Sequence, residues 1–318
     1  MNLRDDSMVA SVDPTKTRFY PEEIPEAIAT TANTSGASIA SYSSYDPYTM
    51  FLKSIYTGHT PAVTLRVDND GGHASIESPL VARPSRLPVL NELPCYDSLD
   101  MWMVSSAGTP ATFITYTLKI TKLSVFEKYK LGLSLDDRGV QLLADFDIVK
   151  RYSAGLLRSV EQQSPFKKIV EVSRNVTVAA GASGRVGRIV QVKRGEKAVL
   201  LGVAVDPGKV QADLGGPGVD NTYLQLTRDV IDTQHFSLDC ACMPSIDTEV
   251  PCYIPAQDKL EILVNSAAGV TNLPVRYRYG VADITILEKI RWGITLTADE
   301  TSIANELDLV DSVDAGVF

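Results

Sequence analysis

The chain repeats one of its own segments. Residues 105–157 align without a gap with residues 266–318, at an offset of 161, and twelve of the 53 aligned positions are identical. Unrelated segments would share only about three residues over this length, or roughly 6%, from composition alone. Each copy of a repeat forms the same structural unit, so the repeat constrains the fold more than any other feature. It predicts two duplicated domains in tandem.

Length and composition agree with two domains. The 318 residues are about twice the usual size of one domain, and each copy is long enough to bury a core of its own. Hydrophobic residues make up 44% of the chain and charged residues 22%, as in ordinary globular proteins. Thirteen Tyr, 21 Gly and 17 Pro favour β structure with many turns.

We expect three segments along the chain: an N-terminal arm over residues 1–47, a first domain over 48–157 and a second over 158–318. Ala, Ser and Thr dominate the stretch from Ala27 to Ser44, which has no sustained period of either kind. Such a stretch cannot bury enough apolar surface by itself. We favour an arm that is ordered by contact with another subunit, and a flexible tail is the alternative.

The strongest strand pattern lies inside the repeat. Residues 114–120 alternate Ile, Tyr, Leu and Ile with Thr and Lys, and residues 275–281 alternate in the same way. A period of two predicts strands of an antiparallel sheet with one buried face. The phase then slips by one residue in both copies, which predicts a β-bulge or a short strand break.

A helical pattern follows each of these strands. Thr297 and Glu300 have the spacing of a capping box. Apolar residues then recur at helical spacing in both copies, at Ile303, Leu307 and Val310 and at Leu142, Phe146 and Val149. The fold class is therefore mainly β, with two tandem duplicated antiparallel β-sandwich domains of jelly-roll type, each ending in a short α-helix. We expect Glu127-Lys128 and Glu288-Lys289 to act as ion pairs or helix caps.

Charge and targeting signals narrow the possible partners. The net charge of −9 argues against a general nucleic-acid or anionic-membrane surface. Residues 150–197 carry eleven Lys and Arg against three acids, whereas residues 292–318 carry six acids and no Lys or Arg. This polarity either aligns domains or subunits head to tail or marks two solvated faces. The N-terminus lacks a signal-peptide core and no apolar run is long enough for a membrane span, so we expect synthesis in the cytoplasm.

The four cysteines predict packing more than chemistry. Cys95 and Cys252 occupy matching Pro-Cys-Tyr contexts in the two copies, which favours a small buried hydrophobe in each domain. Cys240 and Cys242 would project both thiols to one face of a strand, but no second cysteine pair or nearby His accompanies them. A disulfide and a metal site remain open alternatives.

Other residues that could carry chemistry form no recognisable set. His59, His73 and His235 are scattered. Asp68–Gly72 is a turn rather than a calcium loop, because the twelfth loop position is a proline. Gly181–Gly187 fits a β-turn rather than a phosphate loop. We predict no catalytic, cofactor-binding or metal-binding residue, no cofactor and no enzymatic activity.

Two tandem β units with a Ser/Thr/Ala-rich arm and no visible active site resemble the viral coat proteins of the double jelly-roll class. In that family two β-sandwiches stand side by side in one chain, and three chains form a pseudo-hexameric tile. The resemblance covers residues 48–318 at the level of architecture. It implies a structural protein of a viral particle, a capsid protein that self-assembles through its β-sandwich flanks and its N-terminal arm.

The same resemblance sets expectations for partners and location. The partners would be further copies of the chain, most simply as a trimer, and other virion proteins, without sequence-specific nucleic-acid binding. The protein would belong to the virion after synthesis and assembly in the host cytoplasm. A virion decoration, spike or tail protein is the nearest alternative. The next alternatives are a tandem carbohydrate-binding module with Trp102 and Trp292 exposed and an enzyme with a site spread over loops. For both tryptophans we favour packing in the core.

Overall fold

The computed structural model describes residues 22–31, 38–43, 48–58, 63–69, 74–79, 85–87, 93–95, 98–105, 111–130, 132–157, 166–190, 193, 195–214, 222–228, 232–257 and 259–318. Strands dominate these residues. They are β1 (Glu22–Thr31), β2 (Ser38–Ser43), β3 (Tyr48–Gly58), β4 (Val63–Asn69), β5 (Ala74–Pro79), β6 (Ser85–Leu87), β7 (Leu93–Cys95), β8 (Ser98–Ser105), β9 (Ala111–Lys122), β10 (Lys168–Val178), β11 (Ala182–Val190), β12 (Glu196–Val205), β13 (Thr222–Arg228), β14 (Asp232–Asp239), β15 (Val250–Ala256), β16 (Lys259–Ser266) and β17 (Val270–Asp283).

Short helices follow the last strand of each half, and one more lies between β12 and β13. They are α1 (Val125–Lys130), α2 (Asp137–Asp145), α3 (Ile148–Ser153), α4 (Pro207–Leu214), α5 (Ile286–Arg291), α6 (Ala298–Glu306) and α7 (Leu309–Asp314). We call residues 22–157 the first half and residues 166–318 the second half.

The eight strands of the second half follow the order of a jelly roll. One sheet runs β10-β17-β12-β15 and the other runs β11-β16-β13-β14, with antiparallel pairing throughout. The first, eighth, third and sixth strands therefore share one sheet, and the second, seventh, fourth and fifth share the other. Val203, Val275, Leu224 and Val264 are fully or almost fully buried between the two sheets. Two sheets of this order around one core form a jelly roll.

The first half repeats this order. One of its sheets runs β1-β9-β3-β6, with β7 also paired to β3, and the other runs β2-β8-β4-β5. Two short strands thus occupy the sixth position. The predicted mainly β, antiparallel, jelly-roll-like fold class is confirmed.

Part of the expected N-terminal arm belongs to these sheets. Residues 22–31 pair along their whole length with β9, from Glu22 opposite Ile120 to Thr31 opposite Ala111, and residues 38–43 pair with β8. The expectation of a segment without regular structure is wrong for these two stretches. Backbone hydrogen bonds to distant strands make them extended, and local side-chain periodicity does not reveal such pairing. Residues 1–21, 32–37 and 44–47 lie outside the described residues.

One sheet is shared by the two halves. Strand β1 pairs with β9 on one side and with β15 of the second half on the other, where Glu23 lies opposite Tyr253. The result is a nine-stranded sheet in the order β10-β17-β12-β15-β1-β9-β3-β6, with β7 on β3.

Strand β9 is buried on both faces, although its alternation predicted one. Tyr116 and Leu118 are fully buried in the first roll, as expected, but Thr115 and Thr117 are also buried. The second half covers their face, and both hydroxyls donate hydrogen bonds to carbonyl oxygens there. Burial without loss of hydrogen bonds is inexpensive for Thr, which explains why a polar face can lie inside.

Each half ends in three short helices instead of the single helix that was expected. The strands stop at Lys122 and Asp283, so the predicted phase slip is a strand end followed by a helix. Asp147 and Asp308, which are equivalent at the offset of 161, adopt left-handed backbone conformations with φ of 53° and 48°. This conformation interrupts the helix between α2 and α3 and between α6 and α7.

The interruption also changes which helical residues are buried. Val149, Ile303 and Val310, placed on the predicted apolar stripes, are about 40% exposed. The buried positions lie one residue further on or back, at Leu143 and Ile148 in the first half and at Ala304 and Leu309 in the second. A single helical period cannot run across a left-handed residue, so each stripe is only partly confirmed. Leu142, Phe146 and Leu307 pack against the buried helical residues as predicted, whereas the other three positions do not.

Candidate functional site

The junction between the two halves combines backbone and side-chain contacts. Besides the β1–β15 pairing, Thr115 Oγ1 donates to the carbonyl oxygen of Cys242 at 2.8 Å, and Thr117 Oγ1 donates to that of Pro251 at 2.8 Å. Pro251 belongs to β15, and Cys242 ends the short 3₁₀ turn Cys240–Cys242 that precedes β15 in the chain. The chain therefore shows in detail how the edge of one roll can join the edge of another.

Strand β10 of the second roll is an edge strand of its sheet among the strands that the structure describes. It pairs with β17 on one side, and it stands first in the strand order. Most of its side chains are exposed, including Lys168, Glu171 and Arg174, and Ile169 is 55% exposed. Charged residues on an edge strand limit uncontrolled pairing, while the backbone groups of such a strand remain able to pair with a strand of a partner. This edge is the candidate interaction surface.

A cation bridges two acids close to the start of β10. Lys167 Nζ lies 2.5 Å from Asp283 Oδ1 and 3.0 Å from Glu196 Oε1. The hydrogen bond to Asp283, followed by that to Glu196, raises the pKa of Lys167. The bridge joins β12 to the end of β17, but it is exposed to solvent, and exposed ion pairs stabilise little.

Helix caps form at the predicted residues. Ser124 and Glu127 cap α1 reciprocally, because each backbone amide donates to the other's side chain, at 2.9 Å and 3.1 Å. Thr285 and Glu288 form the equivalent capping box on α5, and Thr297 forms one on α6. The predicted capping box at Thr297 is confirmed. The interpretation of Glu127 and Glu288 as helix caps is confirmed as well.

Glu288 has a second role that the sequence did not indicate. Its Oε1 accepts a hydrogen bond from Lys197 Nζ, while its Oε2 accepts from the backbone amide of Thr285. The Lys197 side chain is 1% exposed and that of Glu288 is 10% exposed. This ion pair ties β12 of the second roll to α5. The only sign of it in the sequence is that Lys197 directly precedes the apolar run 198–205, and that sign is weak.

The neighbouring Lys289 pairs with Glu300. Lys289 Nζ donates to Glu300 Oε1 at 2.7 Å, and the Thr297 amide donates to Glu300 Oε2 at 2.9 Å. Partial burial by itself would raise the pKa of Glu300, but these hydrogen bonds, with that of Lys289 the larger, hold the pKa below its usual value. The carboxylate thus joins α5 to the first turn of α6.

This arrangement predicts a pH dependence of stability. A carboxyl group whose pKa is lower in the folded than in the unfolded state stabilises the fold above its unfolded pKa, and that contribution is lost as pH falls through the folded pKa. We expect Glu300→Gln to lower the free energy of unfolding at pH 7 by about 1 kcal/mol and to flatten its decline below about pH 4.5. Urea unfolding between pH 3 and 7 measures both. The exposed Glu306→Gln is the control, and an unchanged pH profile for Glu300→Gln would contradict the assignment.

Helices from the two halves share one apolar core. The ring of Phe126 lies edge to face with those of Tyr152 and Phe318, with centroids 5.3 Å apart in both pairs. The Phe126 amide donates to the carbonyl oxygen of Val317 at 2.9 Å. The other buried residues of this helical core are Leu143, Ile148, Leu157, Leu287, Ala304 and Leu309.

Opposite charges also connect the helices of the two halves. Arg151 of α3 donates to the Leu307 carbonyl at 2.7 Å and to Asp308 Oδ2 at 2.9 Å. Arg151 belongs to the basic segment that was noted in the sequence and Asp308 to the acidic tail. Here, the basic segment and the acidic tail form an ion pair with each other within one chain.

The cysteines behave largely as predicted. Cys240, Cys242 and Cys252 are buried and form no disulfide with one another, and the burial confirms the packing interpretation for Cys252. Cys240–Cys242 forms a short 3₁₀ turn and not a strand, so the expectation that both thiols share a strand face is wrong. The Asp239 carboxylate caps this turn through the Ala241 amide. The side chain of Cys95 lies outside the described residues.

The remaining predicted positions are not brought together. His59 and His73 lie outside the described residues, as does the side chain of His235. Asp68 lies inside β4, next to its last residue, and not in the predicted turn. It is buried and accepts a hydrogen bond from Arg66, which accounts for its carboxylate without a metal.

Gly181 agrees with its predicted structural role, and the two tryptophans lie between the core and the surface. Gly181 takes a φ of 71° in the turn between β10 and β11, as predicted for a β-turn. Trp102 and Trp292 are both partly buried rather than fully exposed.

The described residues contain neither a metal-binding group of side chains nor a membrane-spanning helix. No group of three or more His, Cys, Asp and Glu side chains there is placed to hold a metal ion. None of the helices formed by those residues has the length and hydropathy needed to cross a membrane.

No protein-family model and no curated protein sequence matches this chain significantly. Among solved structures, the STIV major capsid protein is 13% identical, over 83% of this chain and 96% of that one, with a TM-score of 0.23. Procruciferin, the 11S globulin of Brassica napus, is 9% identical over 92% and 86%, with a TM-score of 0.21. The CUB1-EGF-CUB2 domains of human MASP-1/3 are 11% identical over 83% and 96%, with a TM-score of 0.24. TM-scores this low carry no inference about function, so the jelly-roll assignment rests on the strand order of this chain.

Proposed function

We propose that this chain is a structural protein of a viral particle, a capsid protein that assembles with further copies of itself and with other virion proteins. Three chains, each with two jelly rolls, would form one pseudo-hexameric tile. The protein would act in the virion, after synthesis and assembly in the host cytoplasm, without enzymatic activity and without sequence-specific nucleic-acid binding.

The observation that carries the proposal is the edge-to-edge junction inside the chain. It joins the sixth strand of the second roll, β15, to the first strand of the first roll, β1. The two ends of the shared sheet then carry the complementary strands. At one end is β10, the first strand of the second roll, and at the other are β6 and β7, in the sixth position of the first roll.

The same junction can therefore form between chains. The β10 edge of one chain would meet the β6 and β7 edge of the next chain, which is a head-to-tail contact. Repeated head-to-tail contacts produce a closed ring when the rotation between neighbouring chains brings the last chain back to the first. Three chains would place six similar rolls around one ring. We also propose that the first domain ends at residue 157 and the second begins at residue 158, and that the segment ahead of β1 contributes to the contact with a neighbour.

The exposed edge provides a direct test. We expect the purified protein to have the mass of a trimer by multi-angle light scattering. Ile169→Lys should shift it to the monomer, since it places a further charge near the start of β10, within the proposed contact. Val149→Lys is the matched control, because it charges a similarly exposed aliphatic residue on α3, away from β10.

Three outcomes decide the proposal. A trimer that Ile169→Lys dissociates and Val149→Lys leaves intact supports assembly through β10. A trimer that only Val149→Lys dissociates moves the contact to the helices and overturns the edge model. A compact wild-type monomer that deletion of residues 1–21 leaves unchanged overturns self-assembly itself. Electron microscopy of the oligomer then separates flat tiles from the fibres or single spikes expected of a decoration, spike or tail protein.

A further inference from the structure

The two copies differ at one position in the helical layer where the second copy has an ion pair. In the second half, Glu300 at the third position of α6 pairs with Lys289. The residues equivalent to Lys289 and Glu300 in the first half are Lys128 and Gly139. The first copy therefore keeps the cation but has neither the carboxylate nor the side chain that carries it.

A cavity of about 460 Å³ lies at this position. Its volume falls within the range of about 300–1,000 Å³ that is usual for small-molecule pockets. Both Lys128 and Gly139 line it. Apolar walls come from both halves of the chain, and they are Leu123, Val125, Leu135, Leu142, Val313 and Phe318.

The charged side chains that line the cavity favour an anion. Lys128, Arg138 and Arg291 line it, against Asp136 and Asp314. Asp136 Oδ1 is already bound to the Gly139 amide at 2.7 Å as a helix cap. Within the described part of the chain, the side chains of Lys128 and Arg138 form no hydrogen bond or ion pair, and Lys128 is half-buried. A half-buried ammonium group without a partner leaves a favourable place for a carboxylate.

We propose that this cavity binds a small organic carboxylate with an apolar body, of the medium-chain fatty-acid class. Its carboxylate would accept hydrogen bonds from Lys128 and Arg138, in the place that the Glu300 carboxylate takes beside Lys289. Its hydrocarbon part would lie between the apolar residues of the first-half helices and the last turn of the second half. The site is separate from the β10 edge, so it stands whether or not the chain assembles.

The test measures binding of sodium decanoate to the full chain by ¹⁵N-resolved NMR titration. We expect saturable shifts of the Lys128 and Gly139 amides with decanoate. Acetate, which has the charge without the apolar body, and decyltrimethylammonium, which has the body with the opposite charge, should give no saturable shifts there.

Substitutions separate this site from non-specific binding. Lys128→Gln should raise the Kd of decanoate about tenfold, because it removes one charge-assisted hydrogen bond. Gly139→Glu should abolish binding, since it supplies the carboxylate that the second copy has at this position. Gly139→Ala adds only a methyl group, and Lys289→Gln alters the equivalent cation of the other copy. Both should bind decanoate within about threefold of the wild type.

The replacement at residue 139 can be accommodated. A Cβ there would meet Asp136 Oδ1 at 3.0 Å and Val125 Cγ1 at 3.4 Å, so the Asp136 cap would shift by a few tenths of an ångström, and the backbone is not left-handed. Gly139→Glu should also raise the melting temperature, because it fills the space and gives Lys128 a partner. An absence of decanoate binding, equal binding of acetate, or a Kd unchanged by both Lys128→Gln and Gly139→Glu would each overturn the proposal.

Discussion

Replacing Lys197 by Met is expected to lower the free energy of unfolding by about 3–5 kcal/mol, because it leaves the carboxylate of Glu288 buried without its cation. The two side chains are 1% and 10% exposed, so water cannot take the place of the missing ammonium group. The loss should also weaken the attachment of α5 to the second roll. Urea unfolding followed by tryptophan fluorescence and by circular dichroism measures the change.

Two further variants isolate the cause. Lys167→Met removes an exposed lysine that also has two acidic partners, and we expect a midpoint close to that of the wild type. The double variant Lys197→Met with Glu288→Gln should recover part of the loss, because the neutral amide can still accept the hydrogen bond from the Thr285 amide. A Lys197→Met midpoint equal to that of Lys167→Met would show that the buried pair contributes nothing.

Replacing Phe126 by Ala is expected to lower the free energy of unfolding by about 3–5 kcal/mol, since it opens a cavity in the core shared by the two sets of helices. Phe126 is 2% exposed, and it contacts the rings of Tyr152 and Phe318. The substitution lies in the first half, but its effect should reach the second. Hydrogen exchange of residues 309–318 should accelerate together with that of α1.

The control for this variant is Val149→Ala, which shortens an exposed side chain on α3 and should change stability by less than about 0.5 kcal/mol. If exchange in residues 309–318 stays at the wild-type rate in Phe126→Ala, the helices of the two halves are not one cooperative unit.

Features set by neighbouring residues could be predicted from the sequence. The caps at Glu127, Glu288 and Thr297 depend on residues three positions apart, and all form as the spacing indicates. The antiparallel β class followed from period-two alternation, which requires only that a strand have a buried face. Both signals are local and need no knowledge of distant parts of the chain.

Features that depend on contacts between distant parts of the chain could not be predicted from the sequence. Glu22–Thr31 reads as an unstructured arm because its partners, β9 and β15, lie about 90 and about 230 residues further along. Thr115 and Thr117 read as a solvent face because their carbonyl partners belong to the second half. Burial of a polar side chain is decided by what covers it.

The sheet edge at β10 and the cavity depend neither on neighbouring residues nor on a single distant contact. The position of β10 at the end of the described sheet follows from the order of all its strands, which no single segment encodes. The cavity follows from a difference between the copies, Gly139 in one and Glu300 in the other, and that difference is legible in the aligned repeat once the pairing of Lys289 is known.

The hydrogen bond from the Phe126 amide to Val317 has a consequence for synthesis. A ribosome adds about 5–20 residues per second, so α1 is made roughly 10–40 s before the segment that covers it. Strand β1 is likewise made before its partner β15. Until the second half has been made, the nascent first half exposes the aromatic cluster around Phe126 and one unpaired side of β1. Chaperones, or another polypeptide emerging nearby, have access to these surfaces at that stage.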